Sequence, residues 1–439
     1  MTTLDSVVVG AGQAGLGISY FLQQDKREHV VFERGRIGES WVSQRWDSFQ
    51  LNTINSMNVL PGLPYSGPEP DGFWRSVDLV NYFQSYVERF QLPVQTGVEV
   101  VSVEQDEDEQ VFIIKTSTDG QSNGSVLSHS IVIASGVQST PKYPATHALL
   151  PPNITQLHSS GYRNPQVLPA GAVVVVGSGQ SGCQIAEDLL SAGRSVYICT
   201  SKVGRTFRRY RGRDILEWWI DMGWLDVTYS SLEDKSISRI PQPQVSGLGR
   251  HGHTVSLQSL ARQKAVILGH LLNVEGSTLL LGDEAAENVR FADSFSQRQK
   301  DNIDAYLRQA GITPPPLEDD PADLYDPQAA CVSPLRRLDM REARVGTVIW
   351  ASGFEGDFGW IHLPVFDPNG NPIHQRGISP LKGVYFLGFP WLNSRKSGII
   401  YGIKEDAGYI AGTISKQLEW VDHRAGKLPG TALKNGMRK

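Results

Sequence analysis

Two glycine patterns with one spacing, GAGQAG at residues 10–15 and GSGQSG at residues 177–182, occur in this chain of 439 residues. Between a strand and a helix, Gly-x-Gly-x-x-Gly lets the backbone approach a pyrophosphate, whose charge then faces the N-terminus of the helix. A single match is also compatible with a tight turn that binds nothing, but each copy follows an apolar run and precedes apolar residues at helical spacing. Two copies therefore predict two bound dinucleotides. The candidate contacts are Gly10, Gly12, Gln13, Ala14 and Gly15 in the first copy and Gly177, Gly179, Gln180, Ser181 and Gly182 in the second.

The end of the second strand of such a unit selects the ribose, because a carboxylate there accepts hydrogen bonds from the ribose hydroxyls, about 20 residues after the glycines. In the first copy this residue is Glu33, 23 positions after Gly10. The same count from Gly177 reaches Thr200, and the segment TSKVGR that begins there contains no acid. A carboxylate would repel a 2′-phosphate, whereas hydroxyls and cations attract one. The first unit thus favours FAD or NAD, and the second favours NADPH. The candidate contacts to the 2′-phosphate are Ser201, Lys202 and Arg205.

The composition points to a small-molecule function. Forty-one basic and 46 acidic residues give a net charge of −5, without a block of like charge that could hold a nucleic acid or an anionic membrane. The first residues show no positive n-region followed by an apolar h-region, so we expect no secretion, and no apolar stretch approaches the roughly 20 residues that a membrane span needs. We therefore expect a cytoplasmic protein, and the sequence leaves open whether it is a homodimer.

Cysteine and histidine spacing argues against metal and disulfide chemistry. Cys183, Cys199 and Cys331 contain no Cys-x-x-Cys pair, so they support neither a zinc cluster nor the redox pair of a disulfide reductase. His251 and His253 lack partner ligands at a recognisable spacing. We expect no metal site.

The order of strands and helices predicts an α/β fold with two Rossmann-like dinucleotide-binding domains of the three-layer ββα type, the second inserted in the first. The first domain is predicted at 1–145 and 341–425, and the second at 165–340. The similar runs IVIASG and VIWASG are the predicted crossings between the two domains. Three further predictions concern local structure: an antiparallel meander from 97–103, 110–116 and 128–136, a helix over 76–90 with Ser76 as N-cap, and a helix over 293–310.

The chain resembles the flavin-containing monooxygenases, the single-component group that includes the plant YUCCA enzymes and the bacterial CzcO-like flavoproteins. Beyond the two glycine motifs and Glu33, the resemblance rests on ESWVSQRWDSFQLNT (39–53), LHSSGYR (157–163), the two ASG crossings and GIKEDAGYIA (402–411), and it covers nearly the whole length. It implies that the first unit binds FAD and the second NADPH.

The resemblance also implies individual roles near the flavin. Asn52 would hydrogen-bond near the reactive edge of the flavin, Trp41 would pack on its ring, and Gly402 would direct a backbone N–H at its pyrimidine end. Capping of its own loop is the alternative for Asn52, and a core position is the alternative for Trp41. The remaining predicted cofactor contacts are Arg34, Ser40, Ser352 and Gly353.

The implied activity is oxygenation: hydride passes from NADPH to FAD, O₂ adds to give a C4a-(hydro)peroxide, and a nucleophilic N, S or activated C is oxygenated. Baeyer–Villiger relatives carry Trp four residues after the motif histidine, whereas this chain has Tyr162 four residues after His158, which favours heteroatom chemistry. We expect His158 to satisfy backbone groups in the linker. Baeyer–Villiger oxygenation, an electron-transfer reductase and an NADPH sensor remain the alternatives.

A substrate pocket is expected between the domains. Its candidate walls are Trp218, Trp219, Trp224, Trp391 and Leu392, for which a core position is the alternative. Four arginines could attract an anionic substrate or extend the 2′-phosphate site, or could form a solvated face. They are Arg208, Arg209, Arg211 and Arg213.

Overall fold

The computed structural model describes residues 3–106, 110–245, 247, 249, 251–326 and 328–424. Within these ranges the chain forms two parallel five-stranded sheets, each with an antiparallel sheet beside it. Eight α-helices accompany them in the described part of the chain. They are Gln13–Gln24, Glu39–Ser43, Ser76–Phe90, Gln180–Ser191, Ile215–Asp221, Leu257–Arg262, Ala285–Gln309 and Ile403–Arg424.

The first parallel sheet is built around Ser6–Val9, the strand that leads into the first glycine turn. All four of its residues are buried, as expected for a parallel strand that is covered on both faces. The strand pairs with His29–Glu33 on one side and with Ile131–Ile133 on the other, so Glu33 lies at the same edge of the sheet as the glycine turn. Across the sheet the order is Val384–Phe386, Ile131–Ile133, Ser6–Val9, His29–Glu33 and Val94–Thr96.

The antiparallel sheet of the first domain differs from the predicted meander. Glu99–Asp106 and Val111–Thr118 are strands as expected, but the third strand is Gln121–Ser128, and Ile131–Ile133 belongs to the parallel sheet. The polar segment around Gly124 therefore pairs as an edge of the sheet. The hydrogen bonds of the backbone override the low strand propensity of its residues. The short strand Thr3–Leu4 completes this sheet.

The predicted helix over 76–90 is present with these bounds, but its N-cap is Arg75. The Arg75 backbone N–H donates to Asp78 at 3.1 Å, and the Arg75 guanidinium pairs with the same carboxylate. Asp78 thus caps the helix from its third position. Ser76 is already the first helical residue.

The second parallel sheet repeats the first around Ala172–Val176, which leads into the second glycine turn. It includes Thr155–His158 and Val345–Trp350, so the predicted domain limits of 165 and 340 are too narrow. Both strands pair in parallel inside this sheet, and only that long-range pairing assigns them to it. The predicted limit at 425 lies outside the described residues. Across the sheet the order is Thr155–His158, Val345–Trp350, Ala172–Val176, Val196–Cys199 and Val266–Leu268.

The less regular part of the second domain contains a long helix and a small antiparallel sheet. The helix predicted from 293 begins earlier and spans Ala285–Gln309. The apolar region 265–281 forms the edge strand of the parallel sheet and then a hairpin. The strands of the small sheet are Leu271–Glu275, Thr278–Leu281 and Arg337–Asp339.

The two crossings between the domains run side by side. Thr140–Pro141, after the first crossing, pairs with Phe354–Glu355, after the second, as a two-stranded antiparallel ribbon. Backbone hydrogen bonding extends this contact, because Lys142 donates to the Gly353 carbonyl at 3.0 Å. This ribbon places the carboxyl ends of both parallel sheets around one shared space.

Candidate active site

A cavity of about 790 Å³ lies between the two domains and is lined by both glycine turns. Ligands of open α/β sheets bind outside the carboxyl ends of the strands, and both turns occupy that position. The cavity therefore joins the two predicted dinucleotide sites. Fourteen of the predicted site residues line it: Gly10, Gly12, Gln13, Ala14, Glu33, Arg34, Ser40, Trp41, Asn52, Gly179, Gln180, Ser181, Gly182 and Gly353.

The two glycine turns have nearly the same backbone. Gly10 has φ +106° and Gly177 has φ +112°, a region that L side chains rarely adopt, and a Cβ at these positions would lie 2.6 and 2.5 Å from the carbonyl oxygens of Ala134 and Ala351. Their role is thus close packing against the crossings. Gly12 and Gly179 have negative φ and face open space, with no atom within 4 Å of a Cβ position. These two glycines leave room for a pyrophosphate beside the helix N-terminus.

The last glycine of each motif packs inside the turn. A Cβ on Gly15 would overlap the Gly10 carbonyl, and a Cβ on Gly182 would overlap the Gly177 carbonyl. Gly15 and Gly177 do not line the cavity. Their effect on a ligand is therefore indirect, through the shape of the turn.

Glu33 is fixed at the rim of the first turn. Its carboxylate accepts hydrogen bonds from the backbone N–H groups of Ala11 and Gly35, both at 2.8 Å. A carboxylate with two charge-assisted bonds has a defined orientation and keeps lone pairs for ribose hydroxyls.

Hydroxyl groups occupy the equivalent rim of the second turn. Ser178 Oγ accepts from the Ser201 backbone N–H at 2.9 Å, and Thr200 Oγ1 donates to the Leu268 carbonyl at 2.8 Å. The rim contains no carboxylate at the position of Glu33, in agreement with the sequence. Ser201 and Lys202 lie beyond the lining of the cavity, and the Lys202 ammonium pairs with Glu287 at 3.1 Å in an exposed position.

The prediction for Arg205 is wrong. Its side chain is 3% exposed and pairs with Asp293 and Asp323, and Lys300 pairs with the other oxygen of Asp323. Two buried carboxylates already neutralise this guanidinium, so it is not available to a 2′-phosphate. It joins the long helix Ala285–Gln309 to the rest of the domain.

Asn52 lies in the cavity wall where the two domains meet. Its backbone carbonyl accepts from Arg208 Nη1 at 2.8 Å, and its side-chain Oδ1 accepts from Gln184 Nε2 at 3.4 Å. Arg208 is fully buried, pairs with Asp214 at 2.5 Å and covers the ring of Phe73. Both contacts come from the second domain, which therefore fixes a residue of the first.

Trp41 and Arg45 form an aromatic and cationic part of the cavity wall. Trp41 donates from Nε1 to Gln13 of the first glycine turn at 3.4 Å, and the Arg45 guanidinium lies 4.9 Å from the centre of the Trp41 ring. Burial lowers the pKa of Arg45 to about 10, so it is still charged at neutral pH. Trp41 is half-buried and lines the cavity.

Several predicted residues are absent from the cavity wall for identifiable reasons. Ser352 donates from Oγ to the Lys142 carbonyl. Gly402 is buried in the short turn Ile400–Gly402 before the last helix, and a Cβ there would overlap the Lys396 carbonyl. Neither lines the cavity, whereas Gly398 and Ile399 do.

The predicted substrate walls also belong elsewhere. Trp218 and Trp219 are buried in an apolar cluster, Trp224 stacks on Trp219 with ring centres 4.1 Å apart, and none of them lines the cavity. Trp391 and Leu392 are buried and do not line it either. The core position is therefore the correct alternative for Trp218, Trp219, Trp391 and Leu392, while Trp224 is half-buried against the same cluster.

The four arginines after residue 207 mainly make ion pairs and backbone contacts. Arg208 is buried, so it belongs to neither a solvated face nor the cavity wall. Arg211 pairs with Asp304, Arg213 pairs with Asp221, and Arg209 donates to the His251 carbonyl. None of them lines the cavity.

His158 has the structural role that the sequence predicts. Its Nε2–H donates to the Gly353 carbonyl at 2.9 Å, and Nδ1 accepts from the Ser160 backbone N–H at 3.2 Å. Burial lowers the pKa of the ring, partly opposed by the bond to Gly353. Tyr162 is buried and donates to Asp188 at 2.6 Å, outside the cavity.

Sequence reasoning missed several cavity residues. Ser135 and Gly136 belong to the first ASG crossing, and the likeness of the two crossings could have found them. Arg45 and Gln184 carry no such signal, because only the folded chain brings them to the cavity.

The site fits FAD and a nicotinamide dinucleotide. The two glycine turns lie at helix N-termini in one cavity, and at Gly12 and Gly179 the absence of a side chain leaves space for a phosphate. A carboxylate, that of Glu33, lies at the rim of the first turn but not at the same position of the second. The Ser135 hydroxyl and the Gln184 amide oxygen are buried at the cavity without a hydrogen-bond partner within the described ranges, so polar ligand atoms would satisfy them.

Comparison with known proteins agrees with this geometry. The family model "Pyridine nucleotide-disulphide oxidoreductase" matches residues 7–246, more than half of the chain. The oxidoreductase CzcO of Bacillus subtilis, described as uncharacterized, is 32% identical over 410 residues, which cover 92% of this chain and 97% of the relative. The chain belongs to the pyridine nucleotide-disulphide oxidoreductase family and is similar to CzcO over nearly its whole length.

Solved structures share the fold. A flavin-containing monooxygenase from Stenotrophomonas maltophilia matches with a TM-score of 0.63 and 16% identity over 95% of this chain and 100% of its own. OTEMO, solved in complex with FAD and NADP, matches with a TM-score of 0.54 and 15% identity over 95% of this chain and 85% of its own. The predicted fold class, family and oxidoreductase class are thus confirmed, and the predicted cofactors are those of this family.

The described residues include no group of three or more His, Cys, Asp or Glu side chains that could hold a metal ion. Among them, too, no helix has both the length and the apolar character needed to cross a membrane.

Proposed function

We propose that this chain is an NADPH-dependent flavoprotein monooxygenase that oxygenates a small nucleophile at N, S or an activated carbon. The balanced reaction is substrate + NADPH + H⁺ + O₂ → oxygenated substrate + NADP⁺ + H₂O. The observation that carries the proposal is the single cavity lined by both glycine turns, because reducing equivalents can pass between two dinucleotides only when these meet.

The first unit holds FAD in this proposal. The open face of Gly12 and the helix N-terminus accommodate the pyrophosphate, and the fixed carboxylate of Glu33 accepts bonds from the adenosine ribose. Bound FAD supplies hydride acceptance and oxygen activation. The protein supplies orientation and a dry site.

The second unit holds NADPH. Gly179, like Gly12, has open space where a Cβ would lie. At the position that corresponds to Glu33 the second unit has hydroxyl groups and no carboxylate, which would repel a 2′-phosphate. Lys202 is the remaining cation of the predicted 2′-phosphate contacts, since Arg205 is buried in ion pairs.

Asn52 positions polar atoms at the junction of the two cofactors. Its side-chain oxygen faces Gln184, which leaves the Nδ2–H₂ group as a donor toward the cavity. A fixed donor in the cavity wall stabilises charge on an oxygen atom without reorganisation and keeps a proton near it. In this proposal the Asn52 amide therefore limits the release of hydrogen peroxide, so that more of the oxygen reaches the substrate.

The test compares Asn52→Ala with Asn123→Ala, a control with the same substitution on an exposed strand of the first domain. Purified protein is mixed with NADPH, O₂ and panels of amines, thioethers and indoles, and NADPH consumption, hydrogen peroxide and ¹⁸O incorporation are measured. We expect Asn52→Ala to keep its FAD and its NADPH oxidation while hydrogen peroxide rises to most of the NADPH consumed, because one donor at such a site is worth about 10²–10³ in rate.

Two results would count against the proposal. Unchanged coupling in Asn52→Ala would remove the role of Asn52. Oxidation of NADPH by the unmodified protein without ¹⁸O in any product, but with rapid reduction of an added electron acceptor, would favour an electron-transfer reductase.

A further inference from the structure

Gln184 is a buried polar residue of the cavity wall. It lies on the helix Gln180–Ser191 between Cys183 and Ile185, is 1% exposed, and still lines the cavity between the domains. Neither the sequence motifs nor the proposed roles of the glycines account for an amide at this position. A residue such as Leu would fill the same volume without a polar group.

The two ends of the Gln184 amide have different surroundings. The Nε2 atom donates to Asn52 Oδ1 at 3.4 Å, whereas Oε1 is buried and makes no hydrogen bond to any described residue. Buried polar atoms of folded proteins are almost always paired, because an unpaired acceptor has lost its water without compensation. An unpaired oxygen on a cavity wall therefore matches a donor on a ligand.

We propose that Gln184 is a ligand-binding and positioning residue of the oxygenation site. Its Oε1 accepts a hydrogen bond from an N–H or O–H group of the bound ligand, and its Nε2 holds the Asn52 amide with Nδ2 toward the cavity. Two ligands offer such a donor: the carboxamide of the nicotinamide and the substrate. The inference rests on the proposed function, because it requires a nicotinamide dinucleotide in the second unit.

The position of Gln184 on the second domain gives this contact a specific consequence. Its neighbour Gly182 shapes the second glycine turn, while Asn52 belongs to the first domain. The amide thus links the second domain to Asn52 of the first domain, in the wall of the cavity that both glycine turns line. A ligand group that donates a hydrogen bond to Gln184 Oε1 would therefore lie close to the Asn52 side chain.

The test uses FAD-loaded protein and two variants. Gln184→Met keeps the length of the side chain and removes both amide atoms, whereas Gln184→Glu keeps acceptor oxygens. Isothermal titration calorimetry measures the affinity for NADP⁺ and for 2′,5′-ADP, which lacks the nicotinamide. If the donor is the nicotinamide carboxamide, Gln184→Met weakens the binding of NADP⁺ by about 3- to 10-fold, because one hydrogen bond is lost, and leaves the affinity for 2′,5′-ADP unchanged. Gln184→Glu, which keeps an acceptor for the ligand but removes the donor to Asn52, then loses less affinity for NADP⁺ than Gln184→Met.

The second arm identifies a substrate donor. Unchanged NADP⁺ affinity together with a KM for substrate raised by about 3- to 10-fold in Gln184→Met places the donor on the substrate. Unchanged NADP⁺ affinity and unchanged KM together would overturn the proposal. If the unmodified protein binds neither NADP⁺ nor 2′,5′-ADP, the proposed function fails instead, independently of Gln184.

Gln299→Met separates binding from packing. Gln299 is also a buried glutamine of the second domain, but its Oε1 accepts from Trp219 Nε1 at 2.9 Å. We expect Gln299→Met to lower the Tm and leave the ratio of NADP⁺ to 2′,5′-ADP affinity unchanged. We expect Gln184→Met to change the ligand affinities without lowering the Tm, and a lowered Tm with unchanged affinities would assign Gln184 to packing alone.

Discussion

In the first unit the strand after the glycine turn ends at Glu33, whereas the corresponding strand of the second unit ends at Cys199 and is followed by Thr200 and Ser201. The turns themselves are alike, with φ values of +106° at Gly10 and +112° at Gly177. The backbone therefore provides what two dinucleotides share, a pyrophosphate at a helix N-terminus. In the proposed function, the side chains at the strand end provide what differs between them, the presence or absence of a 2′-phosphate on the ribose.

The largest expected effect comes from the glycines that face the cavity. Gly12→Ala and Gly179→Ala introduce a methyl group at positions of negative φ with no atom within 4 Å, so the fold accepts them while the pyrophosphate does not. We expect Gly12→Ala to be purified without flavin, and Gly179→Ala to keep flavin and to bind NADP⁺ at least about 100-fold more weakly, a loss of about 2.7 kcal/mol. Flavin absorbance and calorimetry measure the two losses.

Gly412→Ala is the control, because it also has open space but lies on the last helix, away from the cavity. Loss of both cofactors in both variants would mean that the units do not act separately.

The next largest effect is expected from substitutions at the ends of the two strands that follow the glycine turns. Glu33→Gln removes a charged acceptor, which is worth about 1.5–3 kcal/mol, and we expect FAD to dissociate about 10- to 100-fold more readily. Ser201→Glu places a carboxylate at the rim of the second unit, and we expect the preference for NADPH over NADH to fall about tenfold or more. Flavin dissociation constants and the ratio of kcat/KM for the two coenzymes are the measurements.

Glu99→Gln, which also changes a carboxylate on the cavity wall, serves as the control for both. An unchanged coenzyme ratio in Ser201→Glu would show that this rim does not contact the adenosine ribose.

A smaller effect is expected at Glu287. This carboxylate lies 3.1 Å from the Lys202 ammonium, both side chains are about 60% exposed, and it competes with a 2′-phosphate for the same cation. Exposed ion pairs are worth about 0.2–1 kcal/mol, so Glu287→Gln should raise the affinity for 2′,5′-ADP by about two- to fivefold at low salt and less at high salt.

Glu342→Gln, an exposed substitution in another loop, should leave this affinity unchanged. Identical values for Glu287→Gln and the unmodified protein would place the 2′-phosphate away from Lys202.

The smallest effect concerns the second crossing, where His158 contacts Gly353. Because burial lowers the pKa of His158 in the folded state, the unfolded chain takes up this proton first as the pH falls below about 6.5, and the free energy of unfolding decreases. His158→Gln should therefore make the fall in stability between pH 8 and pH 5.5 shallower, by about 1 kcal/mol or less. Urea unfolding at several pH values measures it, and a parallel shift of the whole curve would contradict the titration.

The sequence predicts the glycine turns and Glu33 well because each follows from a local rule: a strand, a tight turn, a helix and a fixed count to the next strand end. It fails for Arg205, whose partners Asp293 and Asp323 lie 88 and 118 residues further along the chain. Spacing cannot show that a cation is already neutralised. The tryptophans at 218 and 219 fail for the same reason, since only packing separates a core cluster from a cavity wall.

The domain limits illustrate a related restriction. Val345–Trp350 has the sequence of a buried strand, but its place beside Ala172–Val176 depends on parallel pairing across more than 150 residues. The polar segment around Gly124 becomes an edge strand through its partner, not through its own residues. The sequence assigns a strand to the wrong sheet or misses it when its pairing partner, and not its own residues, determines where it lies.

Because Thr140–Pro141 and Phe354–Glu355 pair as an antiparallel ribbon, the chain enters and leaves the inserted domain at neighbouring points. The inserted domain can therefore be exchanged as one unit. In a chimera with both junctions at these two short strands, the coenzyme preference of one relative would be combined with the flavin-binding domain of another, and the two junctions would lie side by side.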